Sequence, residues 1–205
     1  MTSFRWTYPL AIALFATTSA GCASTAVRFY TLDPTAAAGG APAVHDSVLV
    51  GPVSVPTSVD RPQFVIQVAP NRVEIDEFNL WAAPLEEGIA RVVAADLVML
   101  LGTREVATAP LANFDAAWRV TIDVQRFDSV PGGNALLDAV WTVTPRAATA
   151  SSHTGRTITQ EPVAVGMGYE SIAAAHSRAL ARLSGDVAAA IRAAAETAAT
   201  PKKKR

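Results

Sequence analysis

Two periods run through the chain. From Ala116 to Phe127, Trp118, Val120, Ile122 and Val124 alternate with Arg119, Thr121, Asp123 and Gln125, which predicts a strand with one buried and one wet face. Pro131-Gly132-Gly133-Asn134 is a hairpin loop, and Ala135 to Val143 returns with Leu137, Ala139, Trp141 and Val143 on one face. A polar loop, Ala147 to His153, leads to a more polar strand, Arg156 to Ala164, whose polarity suits an edge. These three make a meander. Upstream, Ser47 to Val55 has few polar residues and is expected to be central, with Pro52 and Pro56 marking its limit or a bulge. Gln63 to Val68 is the next strand, Ala69-Pro70-Asn71-Arg72 a turn, and Val73 to Ile75 a short third strand.

The helical period appears twice. Leu85, Ile89, Val92, Val93, Leu97 and Leu100 recur at helical spacing after Pro84, a good first helical residue because its missing N–H costs nothing there. Glu86 and Glu87 suit the positive end of the helix dipole, and Gly102 supplies the stop. A long second helix spans Glu170 to Thr197, with Ile172, Ala179, Leu180, Leu183, Val187 and Ile191 on its apolar face and Arg178, Arg182 and Arg192 mostly opposite. The order β-β-β-α-β-β-β-α segregates helices from hairpins. It predicts an α+β fold, a mostly antiparallel sheet with two helices packed on one face, a two-layer α/β sandwich.

Composition narrows the function more than the fold. The 205 residues allow one domain plus tails, and 50% hydrophobic content suffices for a core. A formal net charge of −1 gives no basic surface for a nucleic acid. Only 17% of residues are charged and much of the apolar content is alanine, which suits a surface that touches something apolar and is equally what a base-composition bias would give.

The first 21 residues have the layout of a secretory signal: Arg5, an apolar run Leu10 to Ala16, then small residues to Gly21. The run is too short to span a bilayer as a mature helix. Ser19-Ala20-Gly21 stands directly before Cys22, the only cysteine. That arrangement resembles a bacterial lipobox, with Ser19 where an aliphatic residue is usual, and makes Cys22 the candidate lipidation site. An ordinary cut near Ala20 or Gly21 would instead leave a free thiol. Ala23, rather than Asp, after the cysteine favours the outer membrane by resemblance to sorted lipoproteins. The expected organisation is a lipoprotein signal peptide (1–21), a lipidated N-terminus and flexible tether (22–46), one periplasmic α+β domain (47–199) and a basic tail (200–205). Phe29-Tyr30-Thr31-Leu32 is an apolar island in the tether that could dock as an edge strand. A free tether of that length would reach roughly 25–30 Å.

No catalytic constellation emerges. There is no Gly-x-Ser-x-Gly elbow, no His-Glu-x-x-His and no Cys-x-x-Cys, so no catalytic residue, metal or cofactor is assigned. Glu74, Asp76 and Glu77 are expected as a solvated acidic loop, His176 as a packed core histidine, and Trp81 as a structural plug or a partner contact.

The pieces together resemble a family. The lipobox, Tyr30-Thr31-Leu32, Val50-Gly51-Pro52-Val53-x-Val55-Pro56, Asp60-Arg61-Pro62-Gln63-x-Val65 and Trp81-Ala82-x-Pro84-Leu85 are similar to the ABC-type transport auxiliary lipoproteins, the PqiC-like or YmbA-like proteins, also described as membrane integrity-associated transporter subunits. Ala83 departs from a frequent Glu, and the basic C-terminus is outside the pattern. The resemblance implies a non-catalytic, periplasm-facing lipoprotein in the inner leaflet of the outer membrane. Its implied partners are MCE-domain proteins and inner-membrane transporter components, with several copies of the chain compatible with a docking ring. Asp60, Arg61 and Trp81 are the residues to watch, as partner contacts or as fold determinants. A lipoprotein cofactor of cell-wall synthesis or outer-membrane assembly would share the anchor, tether and small domain. An enzyme would have to use Asp76 or Glu77 with a distant His.

Overall fold

The alternation of the meander becomes three long antiparallel strands, β6 (Trp118–Ser129), β7 (Asn134–Pro145) and β8 (His153–Pro162). This is a computed structural model, and it describes residues 25–109, 113–147 and 151–199. Cross-strand pairs such as Val120 with Val143, Ile122 with Trp141 and Val124 with Ala139 share one buried face, which the helices cover. The other elements are β1 (Arg28–Tyr30), β2 (Val48–Ser54), β3 (Gln63–Ala69), β4 (Arg72–Trp81), α1 (Leu85–Leu101), β5 (Val106–Thr108) and α2 (Gly168–Ala199).

The fold is α+β, as expected, but the strands form two mixed sheets, not one mostly antiparallel sheet. The larger has the order β5-β2-β6-β7-β8, with β2 parallel to both β5 and β6. The smaller has the order β1-β4-β3, with β1 parallel to β4 and β3–β4 an antiparallel hairpin. The parallel pairs follow from connectivity. The chain leaves β2, makes the β3–β4 hairpin, crosses back through α1 and enters β5 in the direction it had in β2, as a helical crossover requires. Within the large sheet β2 is interior and β8 is an edge, both as the polarity of their sequences indicates. The strand β5 was not expected, and β4 runs ten residues where a short third strand was expected. Glu74, Asp76 and Glu77 therefore sit in a strand, not a loop.

Pro84 is the residue before the helix rather than its first, with φ −50° and ψ 136°, and its carbonyl accepts the Gly88 N–H. Gly102 ends the helix in the left-handed region at φ 69° and donates to the Val98 carbonyl, a conformation that costs glycine nothing. α1 lies on β2 and β5, α2 on β7 and β8, and the two helices pack on each other.

The segment expected as a free tether belongs to the domain from Arg28 onward. Leu32 is buried. The Asp33 N–H donates to Ser177 Oγ at 3.0 Å, Arg91 donates to the Leu32 carbonyl, and Val44 N–H donates to the Leu101 carbonyl. The fastening centres on Asp96, a fully buried carboxylate of α1. One oxygen accepts the Ala36 N–H at 3.0 Å and the other accepts the Ser184 hydroxyl of α2 at 3.1 Å. Burial raises the Asp96 pKa, against the hydrogen bonds from Ala36, Ser184 and Thr35, which lower it. One side chain thus ties the strap to both helices, and the hydrogen bonds take the place of the water its carboxylate has lost.

Replacing Asp96 by Leu is expected to cost about 1–3 kcal/mol of unfolding free energy, because the Ala36 N–H and the Ser184 hydroxyl both lose this acceptor. Asp96→Asn keeps one acceptor oxygen and is expected to cost less. Urea unfolding gives the first number. Hydrogen exchange over residues 33–44 should speed up in the Leu variant before the helices do.

Candidate functional site

The small sheet is where the singled-out residues converge. Cross-strand partners share a face, so the pairing of Tyr30 with Trp81 and the neighbouring burial of Phe64 define an inner face. Trp81 stacks on Phe64 at 4.0 Å between ring centroids, and Tyr30 meets Phe64 edge-on at 5.3 Å. On the far side of Trp81 lie Phe127 of β6 and His176 of α2, stacked on one another at 3.7 Å with planes 10° apart. This aromatic layer fastens the small sheet to the large sheet and to α2.

The backbone brings the sequence motifs together. The Trp81 N–H donates to the Pro62 carbonyl at 2.7 Å, and the Ala82 N–H donates to the Tyr30 carbonyl at 2.9 Å. Asp60-Arg61-Pro62-Gln63, Trp81-Ala82 and Tyr30-Thr31-Leu32 are thus neighbours in space. Asp60 and Arg61 themselves are exposed on the turn that enters β3. The turn is held by backbone bonds, with Val59 and Asp60 N–H donating to the Pro56 carbonyl and Arg61 N–H to the Val59 carbonyl. Their side chains point to solvent while Trp81 is 7% exposed, so the three do not form one contact surface. Cys22 lies outside the described residues.

Asp76 is a clasp rather than a solvated acid. Its Oδ1 accepts the Phe78 and Asn79 N–H groups at 2.8 and 3.0 Å, and its Oδ2 accepts the Tyr169 hydroxyl at 2.6 Å and the Asn79 amide at 2.9 Å. Burial pulls its pKa upward, but the hydrogen bonds from Tyr169, Phe78 and Asn79 together prevail and hold it below the ordinary carboxylate value. Tyr169 is pushed well above the ordinary phenol value, by burial first and then by Asp76. The clasp joins β4 to the start of α2. Tyr169 was not singled out in the sequence, where its one signal is an aromatic residue directly after Gly166-x-Gly168.

The chemistry available here is limited. His176 is fully buried, its Nε2 lies 2.9 Å from Ser129 Oγ, and its Nδ1 has no hydrogen-bond partner. Burial lowers its pKa to about 3, so at neutral pH it is an uncharged packing group. Among the described residues, no three His, Cys, Asp or Glu side chains gather to hold a metal ion, and no helix is long and apolar enough to cross a membrane. An open groove of about 820 Å³ runs between the strap at Phe29–Ala37 and α2, with an alanine floor and Glu161, Arg178 and Arg182 at its rim. Glu161 lies within 3.1 Å of Arg178 and 3.4 Å of Arg182, so these rim charges are already paired.

Comparison with known proteins points one way. A family model described as ABC-type transport auxiliary lipoprotein component matches residues 30–188. A crystal structure of an uncharacterized protein, 20% identical, superposes with a TM-score of 0.65 over 82% of this chain and 99% of that one. Protein XCC0632 from Xanthomonas campestris, described under the family model DUF330, is 18% identical and superposes with a TM-score of 0.60 over 78% of this chain and 92% of its own. Both show the same α+β fold. No curated protein matches the sequence.

Two variants test the aromatic layer. Trp81→Ala is expected to cost about 3–5 kcal/mol, as for other buried aromatics, read by urea unfolding. The unfolded imidazole of His176 takes its proton near 6.5 and the folded one only near 3. Its contribution to stability is therefore complete above pH 6.5 and lost progressively as pH falls toward 3, at up to about 1.4 kcal/mol per pH unit. Unfolding midpoints at neutral and mildly acid pH should separate more for the native chain than for His176→Gln.

Proposed function

The chain belongs to the ABC-type transport auxiliary lipoprotein component family, and from that membership we propose that it is a non-catalytic docking subunit of an envelope lipid-transport system. The family is one of membrane-associated, periplasm-facing auxiliary components, not of known enzymes. In this reading Cys22 is acylated and holds the protein in the inner leaflet of the outer membrane. The domain receives the outer end of an MCE-domain conduit worked by an inner-membrane ABC-type or related transporter. Several copies around that end would make a complete ring. The work supports the barrier of the outer membrane.

The observation that carries the proposal is the match across residues 30–188, within which the motif segments meet at the small sheet. Two further features agree with it. The part-buried Asp76 and the buried Asp96 are committed to holding the fold by their hydrogen bonds, which suits a docking part more than a reactive one. Asp60 and Arg61 are exposed on a backbone-fixed turn, and among the described residues no side-chain partner occupies either. Such a fixed, unengaged charge pair suits recognition of another protein.

Photo-cross-linking in cells from position 61, with mass spectrometry of the captured proteins, is the direct test. An MCE-domain partner is expected. Capture of peptidoglycan synthases or outer-membrane assembly proteins alone would overturn the reading. Arg61→Ala is expected to weaken resistance to detergent while shifting the unfolding free energy by no more than about 0.5 kcal/mol, as exposed substitutions do.

A further inference from the structure

We propose that the outward face of the small sheet rests on the bilayer that carries the Cys22 anchor, an inference that rests on the lipoprotein reading above. The inner face is filled by Tyr30, Phe64 and Trp81. Register then fixes the other face. Val65 pairs with Ile75, Gln67 with Val73, and Phe29 with Leu80, all opposite in sense to Phe64 and Trp81. Phe29 is 65% exposed, Val73 58%, Phe78 44% and Ile75 43%. Phe78 stands exposed next to Asn79 and Leu80, where the register of β3 on β4 shifts. The same register sends Glu74 and Asp76 to the inner side, beside Ile66 and Phe64. The outer face therefore offers aromatic and branched aliphatic groups with the amides of Gln63 and Gln67 between them and the exposed carboxylate of Glu77 next after Ile75 in the same alternation. A water-facing sheet surface normally alternates toward polar groups instead.

The occupant follows from chain length. Cys22 precedes Arg28 by six residues, which span at most about 22 Å even when fully extended. β1 is an edge strand of this sheet, and Phe29 within it is one of the exposed residues. Because the strap beyond β1 is fastened to α1 and α2 through Asp33, Ala36 and Asp96, no slack further along the chain can carry the sheet away. An acyl chain at Cys22 holds the small sheet within a short distance of lipid. Apolar side chains so held can partition into the interface with only a weak affinity of their own, since the anchor supplies the local concentration.

The test uses the full mature protein, acylated in cells and reconstituted in vesicles of phosphatidylethanolamine and phosphatidylglycerol containing a nitroxide-labelled lipid. Acylation occupies the single native thiol, so Val73→Cys, Ile75→Cys and, as a control on the large sheet, Ile158→Cys each accept one fluorophore. All three positions are exposed, so labelling leaves the core intact. The expected result is several-fold stronger quenching at 73 and 75 than at 158, reduced when Phe29 and Phe78 are both changed to Ser. Equal quenching at all three sites overturns the proposal. So does self-quenching between labelled copies at 75 without lipid quenching, which would give the face to a second copy of the chain. Mass spectrometry of the N-terminal peptide separates the two levels. An acylated Cys22 with no lipid contact at 75 sinks this inference alone, and an unmodified Cys22 removes the anchor and the inference with it.

Discussion

The stack of Trp81 on Phe64, backed by Phe127 and His176, is the contact on which the rest of the molecule depends. A three-stranded sheet with a three-residue edge strand has little reason to persist alone in water. Its inner face is held because four rings from β3, β4, β6 and α2 exclude water together. Two backbone hydrogen bonds converge beside this layer, Trp81 to Pro62 and Ala82 to Tyr30, and tie the entry to β3 and the strand β1 to the end of β4. Since the inner face is spent on the core, whatever the outer face does must be done toward the surroundings.

The second constraint is the buried carboxylate of Asp96. A charge inside a helical layer is costly unless its lone pairs are used. Here they are used by the Ala36 N–H and the Ser184 hydroxyl, so the strap, α1 and α2 are held as one body. The consequence is a matter of distance. A chain free over residues 22–46 would let the domain move independently of its N-terminal segment, whereas a chain fastened from Arg28 leaves Cys22 only six residues ahead of the small sheet. The exposed turn at Asp60 and Arg61 and the apolar outer face then both belong to the small sheet.

The polar chemistry of this region supports structure. Asp76 spends its acceptors on Tyr169, Asn79 and Phe78, and Glu161 is engaged by Arg178 and Arg182. His176 stays neutral in its apolar stack. Polar groups so engaged fix how β4, β8 and α2 stand against one another.

The sequence by itself determined the element types and much of their placement. Alternation in β6 and β7, helical spacing in α1 and α2, Gly102 as a helix stop, the polarity of β8 and the apolar run of β2 are local patterns. Each reports which side of its own element meets water. The motif pieces around Asp60, Trp81 and Tyr30 were also legible and led to the family, and the plug expected of Trp81 is what its burial shows, whereas the exposure of Asp60 and Arg61 on the neighbouring turn was not legible. Only the tertiary structure decided that β2 runs parallel to β5 and β6 and β1 parallel to β4, that two mixed sheets form, that the strap is fastened by Asp96, and that Asp76 clasps Tyr169. Those depend on contacts such as Asp96 with Ala36 and Ser184, or Tyr30 with Trp81, between residues dozens of positions apart. Contacts of that kind leave no periodic trace in the chain, and three-residue strands such as β1 and β5 hold too few positions for any period to show.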